Sequence, residues 1–270
     1  MDLDGTVVDS ANTIPPQTVD ALHACHEAGI ALTFLTGRRP ATTAPHLERL
    51  GLPCRVATNS GCLRWEYPGW KLTGERRFDQ ELVAPVADML APYSANFYVN
   101  SHAEGFEYYL LDRQPTPELE EYLVRYGFRI RRINAAAQLN GAPITQIAMP
   151  GPDGVVMGLR DAIMARFPGR VLALAVRWPL LGIMALELFH PLANKGDALK
   201  QFAGELGIEQ ARTLAAGDDV NDLAMLKWAG HGVAMPGAGA EVVAAAGEQL
   251  EGNGAAALAP YLRGLLELPV

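Results

Sequence analysis

The stretch from Ile30 to Leu35 constrains the fold most strongly, because five of its six residues are apolar and it lacks the polar alternation of a half-exposed strand. Such runs are typical of strands buried on both faces of a parallel sheet. Helical spacing precedes it over residues 16–28 and ends at Gly29, and a second helix is predicted over residues 40–50. A short strand follows at residues 55–57. This alternation predicts a doubly wound, mainly parallel α/β sheet.

The alternation breaks after Cys62, where Pro68-Gly69 predicts the turn of a hairpin. Mixed patterns follow, with strands predicted near residues 96–100 and 106–111 and a helix that has Thr116 as its N-cap. The region therefore predicts an α+β unit inserted into the α/β sheet.

The α/β alternation resumes near residue 183, which divides the chain into two predicted domains. We expect the core domain to span residues 1–77 and 182–270. The inserted α+β domain is expected over residues 78–181.

Charge and cysteine content exclude several classes of function. The formal net charge is −8 with no run of like charges, which argues against nucleic-acid and anionic-membrane surfaces. Arg177 and Glu187 interrupt the apolar run from Val171 to Phe189, so two buried strands explain it better than a membrane span. The three cysteines lack metal-ligand spacing and no secretory signal opens the chain, which predicts free buried thiols in a cytoplasmic protein.

Two carboxylates, Asp2 and Asp4, lie two positions apart at the start of the chain. Side chains two apart on an extended segment point the same way, so the pair would share one face of a strand end. Gly5 permits a sharp turn there, and Thr6 offers a hydroxyl and a backbone N–H. Held together by a cation, one carboxylate could attack an electrophile while the other moves a proton. An ordinary turn or a loose calcium loop would show the same motif, so these residues alone leave the alternatives open.

Reactive side chains follow four predicted strand ends. Ligands of open parallel sheets bind beyond the carboxyl ends of the strands, so we expect these groups to form one site. This convergence is more specific than any single motif. The groups are Asp2 with Asp4, Thr36-Gly37-Arg38, Asn194-Lys195, and Gly217-Asp218-Asp219 with Asn221-Asp222.

The order of these motifs resembles that of the haloacid dehalogenase-like superfamily. The chain is most similar to the Cof-type phosphatases, in which a large α/β cap is inserted into a Rossmann-like core. The likeness of the core covers residues 1–65 and 183–255, whereas the insert matches by position and size only. The resemblance implies a phosphoric monoester hydrolase whose cap sets the substrate specificity.

By this resemblance, three aspartates carry catalysis and metal binding. Asp2 would be the nucleophile that forms an aspartyl phosphate. Asp4 would protonate the departing alkoxide and then deprotonate the attacking water. Mg²⁺ would be held by Asp2, Asp218 and the backbone carbonyl of Asp4, because carboxylates crowded beside a phosphate require a cation.

The resemblance also implies a set of phosphate-binding residues. Thr36 would bind the phosphoryl group through its hydroxyl, with the N–H of Gly37 beside it. Lys195 would supply positive charge, and its place at a helix start, where cations are disfavoured, supports a functional role. Asn221 would contact phosphate or a metal-bound water.

Three further residues are expected to support the site. Arg38 is expected to make either a substrate contact or a structural ion pair. Asp222 would position Lys195 or a metal-bound water. Asp219 is either near the site or a solvated residue at a helix start.

Two features depart from the family pattern. Relatives usually carry Asn-Gly-Ala where this chain has Asn59-Ser60-Gly61-Cys62, so a leaving-group contact from Asn59 is not carried over. The apolar strand that normally precedes the first aspartate is reduced to Met1. We therefore expect the natural protein to begin several residues upstream with such a strand.

The function implied is Mg²⁺-dependent hydrolysis of small phosphomonoesters, with sugar phosphates as the substrate class suggested by the family. One alternative is a phosphomannomutase-like phosphosugar mutase. Another is a catalytically inactive protein that binds a phosphometabolite. A monomer or a homodimer is expected.

Overall fold

The computed structural model describes residues 1–93, 98–101, 108–111, 117–125, 129–178 and 182–267. The chain divides into two compact units. The first, here called the core unit, consists of Met1–Glu75 and Asn194–Val270, and the second, the insert unit, consists of Arg76–Ala193.

Strands and helices are numbered along the chain. The strands are β1 (Thr33–Leu35), β2 (Cys54–Thr58), β3 (Leu63–Tyr67), β4 (Lys71–Glu75), β5 (Tyr98–Ser101), β6 (Tyr108–Leu111), β7 (Ile130–Ile133), β8 (Ile144–Gly151), β9 (Leu172–Trp178), β10 (Ile183–Phe189), β11 (Leu214–Gly217), β12 (His231–Ala234) and β13 (Glu248–Gln249). The helices are α1 (Pro16–Glu27), α2 (Pro40–Leu50), α3 (Gln80–Leu90), α4 (Pro117–Arg125), α5 (Asp153–Arg166), α6 (Lys195–Glu205), α7 (Leu223–Trp228), α8 (Ala240–Ala245) and α9 (Leu258–Leu266).

The strands of the core unit form two groups that the first residues of the chain join. β1 pairs in parallel with β2, and antiparallel β3 and β4 continue that group, while β11, β12 and β13 form a parallel group. The Leu35 N–H donates to the Met1 carbonyl at 2.9 Å, and the Asp2 N–H donates to the Ala216 carbonyl at 2.9 Å. Met1 and Asp2 therefore lie between β1 and β11.

An apolar layer packs α6, α7 and α8 against the core strands. Leu35 and Ala57 from the strands meet Phe202 of α6 and Met225 of α7, and all four are fully buried.

Helix α1 is followed by Gly29 with φ +81°, a conformation that glycine adopts without a Cβ penalty. The predicted α/β alternation is confirmed here.

The insert unit is an α+β structure with a six-stranded sheet in the order β7-β6-β5-β8-β10-β9. β6 and β7 are parallel, and the other neighbours are antiparallel. Residues of α3 and α5, such as Val86 and Ile163, are fully buried in its core. An α/β core with an inserted α+β unit, the expected fold class, is confirmed. Thr116, the expected N-cap of a helix in this unit, lies outside the described residues.

The expected position of β10 was wrong. It was assigned to the core domain, but both of its edges are hydrogen-bonded to strands of the insert, with Ile183 opposite Trp178 and Phe189 opposite Gln146. Hydrogen bonding on both edges fixes β10 inside that sheet. The insert unit therefore ends at Ala193 instead of residue 181, and it begins at Arg76 instead of residue 78.

Two further expectations concern thiols and membrane spans. Cys25, Cys54 and Cys62 are buried and form no disulfide, as predicted. Across the described ranges, no helix has the length and apolar character needed to cross a membrane.

Candidate active site

Lys195 lies at the centre of a buried polar cluster in the core unit. Its Nζ donates to Asp2 Oδ1 at 2.6 Å, to Asp222 Oδ1 at 2.6 Å and to Asn221 Oδ1 at 3.1 Å. Lys195 is 1% exposed, Asp2 4% and Asp222 0%. Lys195 is the first residue of α6, whose preceding residue, Asn194, accepts the Asp197 N–H at 2.8 Å. Three oxygens therefore compensate for a cation at the unfavourable end of a helix.

The cluster contains more negative than positive charge. One ligand oxygen each from Asp2, Asp218 and Asp222 lies within 4.8 Å of the others, and such a group could hold a metal ion. Burial raises the pKa of Asp2, the carboxylates of Asp222 and Asp218 add to this, and Lys195 opposes it. Burial and Asp222 likewise raise the pKa of Asp218 to about 6. Burial alone would lower the pKa of Lys195, but Asp2 and Asp222 raise it. A further cation beside Asp2 and Asp218 would relieve the excess negative charge.

Asp222 has both of its carboxylate oxygens engaged. Oδ1 accepts from Lys195, while Oδ2 accepts the N–H groups of Asp218 and Asp219 at 3.0 and 3.1 Å. Gly217 makes this possible, since a Cβ there would lie 2.5 Å from the Asp222 carboxyl carbon. Asp222 therefore orients Lys195 and the loop that carries Asp218.

Asp218 is held beside the turn that follows Asp2. Thr6 is fully buried, and its Oγ1 donates to Asp218 Oδ1 at 3.5 Å. Gly5 has φ +76°, and a Cβ on it would lie only 2.1 Å from Asp218 Oδ2. A glycine at position 5 is therefore needed both for the turn and for the approach of the Asp218 carboxylate.

Asp2 and Asp4 differ in exposure, and the shared face expected for them stays a prediction. The N–H groups of Val7 and Val8 both donate to the Leu3 carbonyl, at 2.9 and 2.7 Å, so the chain turns within the residues that follow Leu3. Asp2 is buried, whereas 56% of the Asp4 side chain is exposed.

Asp4 instead forms an ion pair with Arg38. The Arg38 Nε donates to Asp4 Oδ2 at 2.8 Å and Nη2 donates to Asp4 Oδ1 at 2.5 Å. Nη2 also donates to Asn12 Oδ1 at 2.6 Å, and Nη1 lies 2.6 Å from His46 Nε2. Of the two roles considered for Arg38, the structure contains the ion pair.

Thr36 and Gly37 lie in a loop that is tied to the turn at residues 59–61. Thr36 is fully buried, and its Oγ1 accepts the Arg38 N–H at 3.0 Å. The Asn59 N–H donates to the Arg38 carbonyl at 2.8 Å, and the Ser60 N–H donates to the Thr36 carbonyl at 3.0 Å. Asn59 and Ser60 are both left-handed, with φ of 50° and 55°. The hydrogen bonds to the 36–38 loop hold them in this conformation, which is costly for residues other than glycine.

The structure thus brings most of the predicted residues into two hydrogen-bonded groups. Asp2, Lys195, Asn221 and Asp222 form one, with Asp218 and Asp219 held through Asp222. Asp4 and Arg38 form the other, which Thr36 joins through the Arg38 N–H. Asn12 and His46 were missed because each stands alone in the sequence, without a motif. Asp219 is exposed, and its side chain accepts the Val220 N–H at 2.7 Å, as in a helix-start residue.

The fold and the buried cluster define an α/β protein with an aspartate–lysine site in its core unit. The comparison with known proteins specifies which kind: the chain belongs to the haloacid dehalogenase-like hydrolase family, whose model matches residues 1–262. It is a phosphatase of the Cof type, a phosphoric monoester hydrolase.

Three similar proteins illustrate the range of the likeness. The HMP-PP phosphatase of Cronobacter sakazakii is 27% identical over 243 residues, which are 90% of this chain and 85% of that protein. The HMP-PP phosphatase of Serratia proteamaculans is 25% identical over 234 residues, 87% of this chain and 81% of that protein. A haloacid dehalogenase-like hydrolase from Bacillus subtilis has a solved structure with a TM-score of 0.78 and 23% identity, covering 98% of each chain.

Proposed function

We propose that this phosphatase is Mg²⁺-dependent and hydrolyses small phosphomonoesters through an aspartyl phosphate on Asp2. The observation that supports this most directly is the contact of 2.6 Å between Lys195 Nζ and Asp2 Oδ1 inside a buried carboxylate cluster. Lys195 engages Oδ1, and among the described residues no hydrogen bond is made to Oδ2. The latter oxygen is therefore the one that can attack phosphorus.

The donor set of the cluster fits Mg²⁺. Carboxylate oxygens are hard ligands: those of Asp2 and Asp222 contact a single ammonium group, and one of Asp218 lies within 4.8 Å of them. Asp2, Asp218 and the backbone carbonyl of Asp4 would hold the ion, because Asp222 is occupied by Lys195 and two N–H groups. When bound, the ion supplies positive charge against the phosphoryl oxygens.

The reaction then runs in two displacements. The Asp2 carboxylate attacks phosphorus, the bond to the leaving oxygen breaks, and that oxygen takes a proton from Asp4. Water next attacks the aspartyl phosphate, its proton passes to Asp4, and inorganic phosphate departs from a restored Asp2. Thr36, the Gly37 N–H, Lys195 and Asn221 bind the phosphoryl oxygens.

Sugar phosphates are the first substrate class proposed, as the family resemblance suggests. HMP-PP is the second, because two relatives at 27% and 25% identity carry its name. The first experiment measures phosphate release from a panel of sugar phosphates and HMP-PP, with MgCl₂ or with EDTA.

Asp2→Asn tests the nucleophile, and Asp20→Asn, an exposed carboxylate of α1, is the matched control. We expect Mg²⁺-dependent release in the wild type and the control, and loss of release in Asp2→Asn. Isomerised sugar phosphate without net phosphate release would instead indicate a mutase. Absence of turnover on every compound would indicate a binding protein.

A further inference from the structure

Arg38, the partner of Asp4, is itself hydrogen-bonded to residues that have no role in the two displacements above. Arg38 is held from one side by Asn12 Oδ1, by His46 Nε2 and by the Thr42 carbonyl, the last at 3.3 Å. Its side chain is 19% exposed, whereas that of Asp4 is 56% exposed. A partly buried, anchored cation therefore holds a solvent-facing carboxylate.

The chemistry of these contacts defines the state of each partner. A guanidinium has donors only, so His46 Nε2 must accept, and the proton of this neutral imidazole lies on Nδ1. His46 is 6% exposed, and burial together with Arg38 lowers its pKa, in agreement with a neutral ring. Asp4 receives N–H groups on both oxygens, as a carboxylate does.

We propose that Asn12 and His46 are positioning residues that hold Arg38, and through it the Asp4 side chain, for hydrolysis of the aspartyl phosphate. This rests on the proposed function, in which Asp4 is the base of the second step. In that step the oxygen of water bonds to phosphorus, its proton passes to Asp4, and the bond between phosphorus and the Asp2 oxygen breaks. Because Arg38 donates to both oxygens of Asp4, it holds this side chain in one place for the step.

The test uses p-nitrophenyl phosphate, whose leaving group departs as a stable phenolate without a proton donor. His46→Leu and Asn12→Ala should each lower the steady-state rate about tenfold, less than the roughly 10²–10⁴-fold contribution of a general base itself. Because the first step is spared, p-nitrophenol should appear in an initial burst. Acid quenching and intact-protein mass spectrometry should find more phosphoenzyme than in the wild type.

His46→Gln places an acceptor where Nε2 lies and should keep the rate within about twofold of the wild type. His26→Leu, a histidine of α1 outside the cluster, is the control and should behave as the wild type. The inference is overturned if Leu and Gln at position 46 cause equal losses, or if Asn12→Ala shows no increase in phosphoenzyme. Wild-type protein that forms no phosphoenzyme would instead refute the proposed function.

Discussion

The Lys195 ammonium lies 2.6 Å from Asp222 Oδ1, and both side chains are almost completely removed from solvent. Asp222→Asn keeps the size of the side chain and an oxygen for the Asp218 N–H, but removes half of the negative charge that holds Lys195. We expect turnover to fall about 10²-fold, the effect of losing one preorganised electrostatic contact. Steady-state phosphate release measures this, with Asp20→Asn as the control. A wild-type rate in Asp222→Asn would show that Lys195 needs no second partner.

Lys195→Met should affect stability as well as turnover. It leaves Asp2 and Asp222 buried without their cation, and breaking such a buried pair costs about 3–5 kcal/mol. Burial already raises the pKa of Asp2. The loss should therefore grow as the pH rises and Asp2 must ionise. Urea denaturation at pH 5 and pH 8 measures the difference. The double variant Lys195→Met/Asp222→Asn should recover part of the stability, and simple additivity would contradict the coupling.

Asp218 should make the metal-free protein less stable at neutral pH. Its pKa rises from 3.8 to about 6 on folding, so the folded state holds the proton more tightly and stability is lost as the pH rises through about 6. In EDTA, Asp218→Asn should be more stable than the wild type above pH 7, with the gap closing below pH 4. Because the carboxyl is partly exposed to solvent, the gain should be on the order of 1–2 kcal/mol.

Added Mg²⁺ should reverse this order. A cation that binds only the folded state stabilises it in proportion to the logarithm of its concentration. Thermal melting should therefore show a rise with MgCl₂ in the wild type and little rise in Asp218→Asn. Equal shifts in both proteins would place the cation elsewhere.

Gly5→Ala should damage the site more than its backbone strain explains. The added Cβ would lie 2.1 Å from Asp218 Oδ2, at a residue with φ +76°. Gly29→Ala carries the same kind of strain, with φ +81°, but has no atom within 4 Å of its Cβ position. We expect both to lose stability and only Gly5→Ala to lose Mg²⁺-dependent turnover. Matching kinetics in the two variants would show that the contact between Gly5 and Asp218 does not matter.

Much of the fold was predictable because its elements carry local patterns. The helix over Pro40–Leu50 and the hairpin at Pro68-Gly69 lie where periodicity and turn chemistry place them. The strand expected from Ile30 is confined to Thr33–Leu35, and Ile30 is 43% exposed. β10 is one of the two strands expected within the run from Val171 to Phe189, but it was assigned to the wrong sheet. The apolar sequence of a strand predicts that it is buried. It does not predict which strands lie beside it, because that pairing joins residues far apart in the sequence.

The candidate site divides in the same way. Lys195 stood out because a cation at a helix start needs a compensating partner, and the structure supplies Asp2 and Asp222. The ion pair of Asp4 was not predictable from the spacing of two, because its partner Arg38 lies 34 positions away in the sequence. His46 was not predictable either, because its contact with Arg38 joins residues eight positions apart that no periodic pattern links.

The hydrogen bonds of Met1 and Asp2 to β1 and β11 affect the order in which the protein folds during its synthesis. The residue proposed to attack phosphorus is also the one that joins the two strand groups, and its partner Lys195 lies 193 positions further on. Contacts so distant in sequence form late, since a long loop must close first. A nascent chain can fold its insert while Asp2 still lacks Ala216 beside it. The cluster around Asp2 and Lys195 is therefore completed only after residues 216–222 have been synthesised.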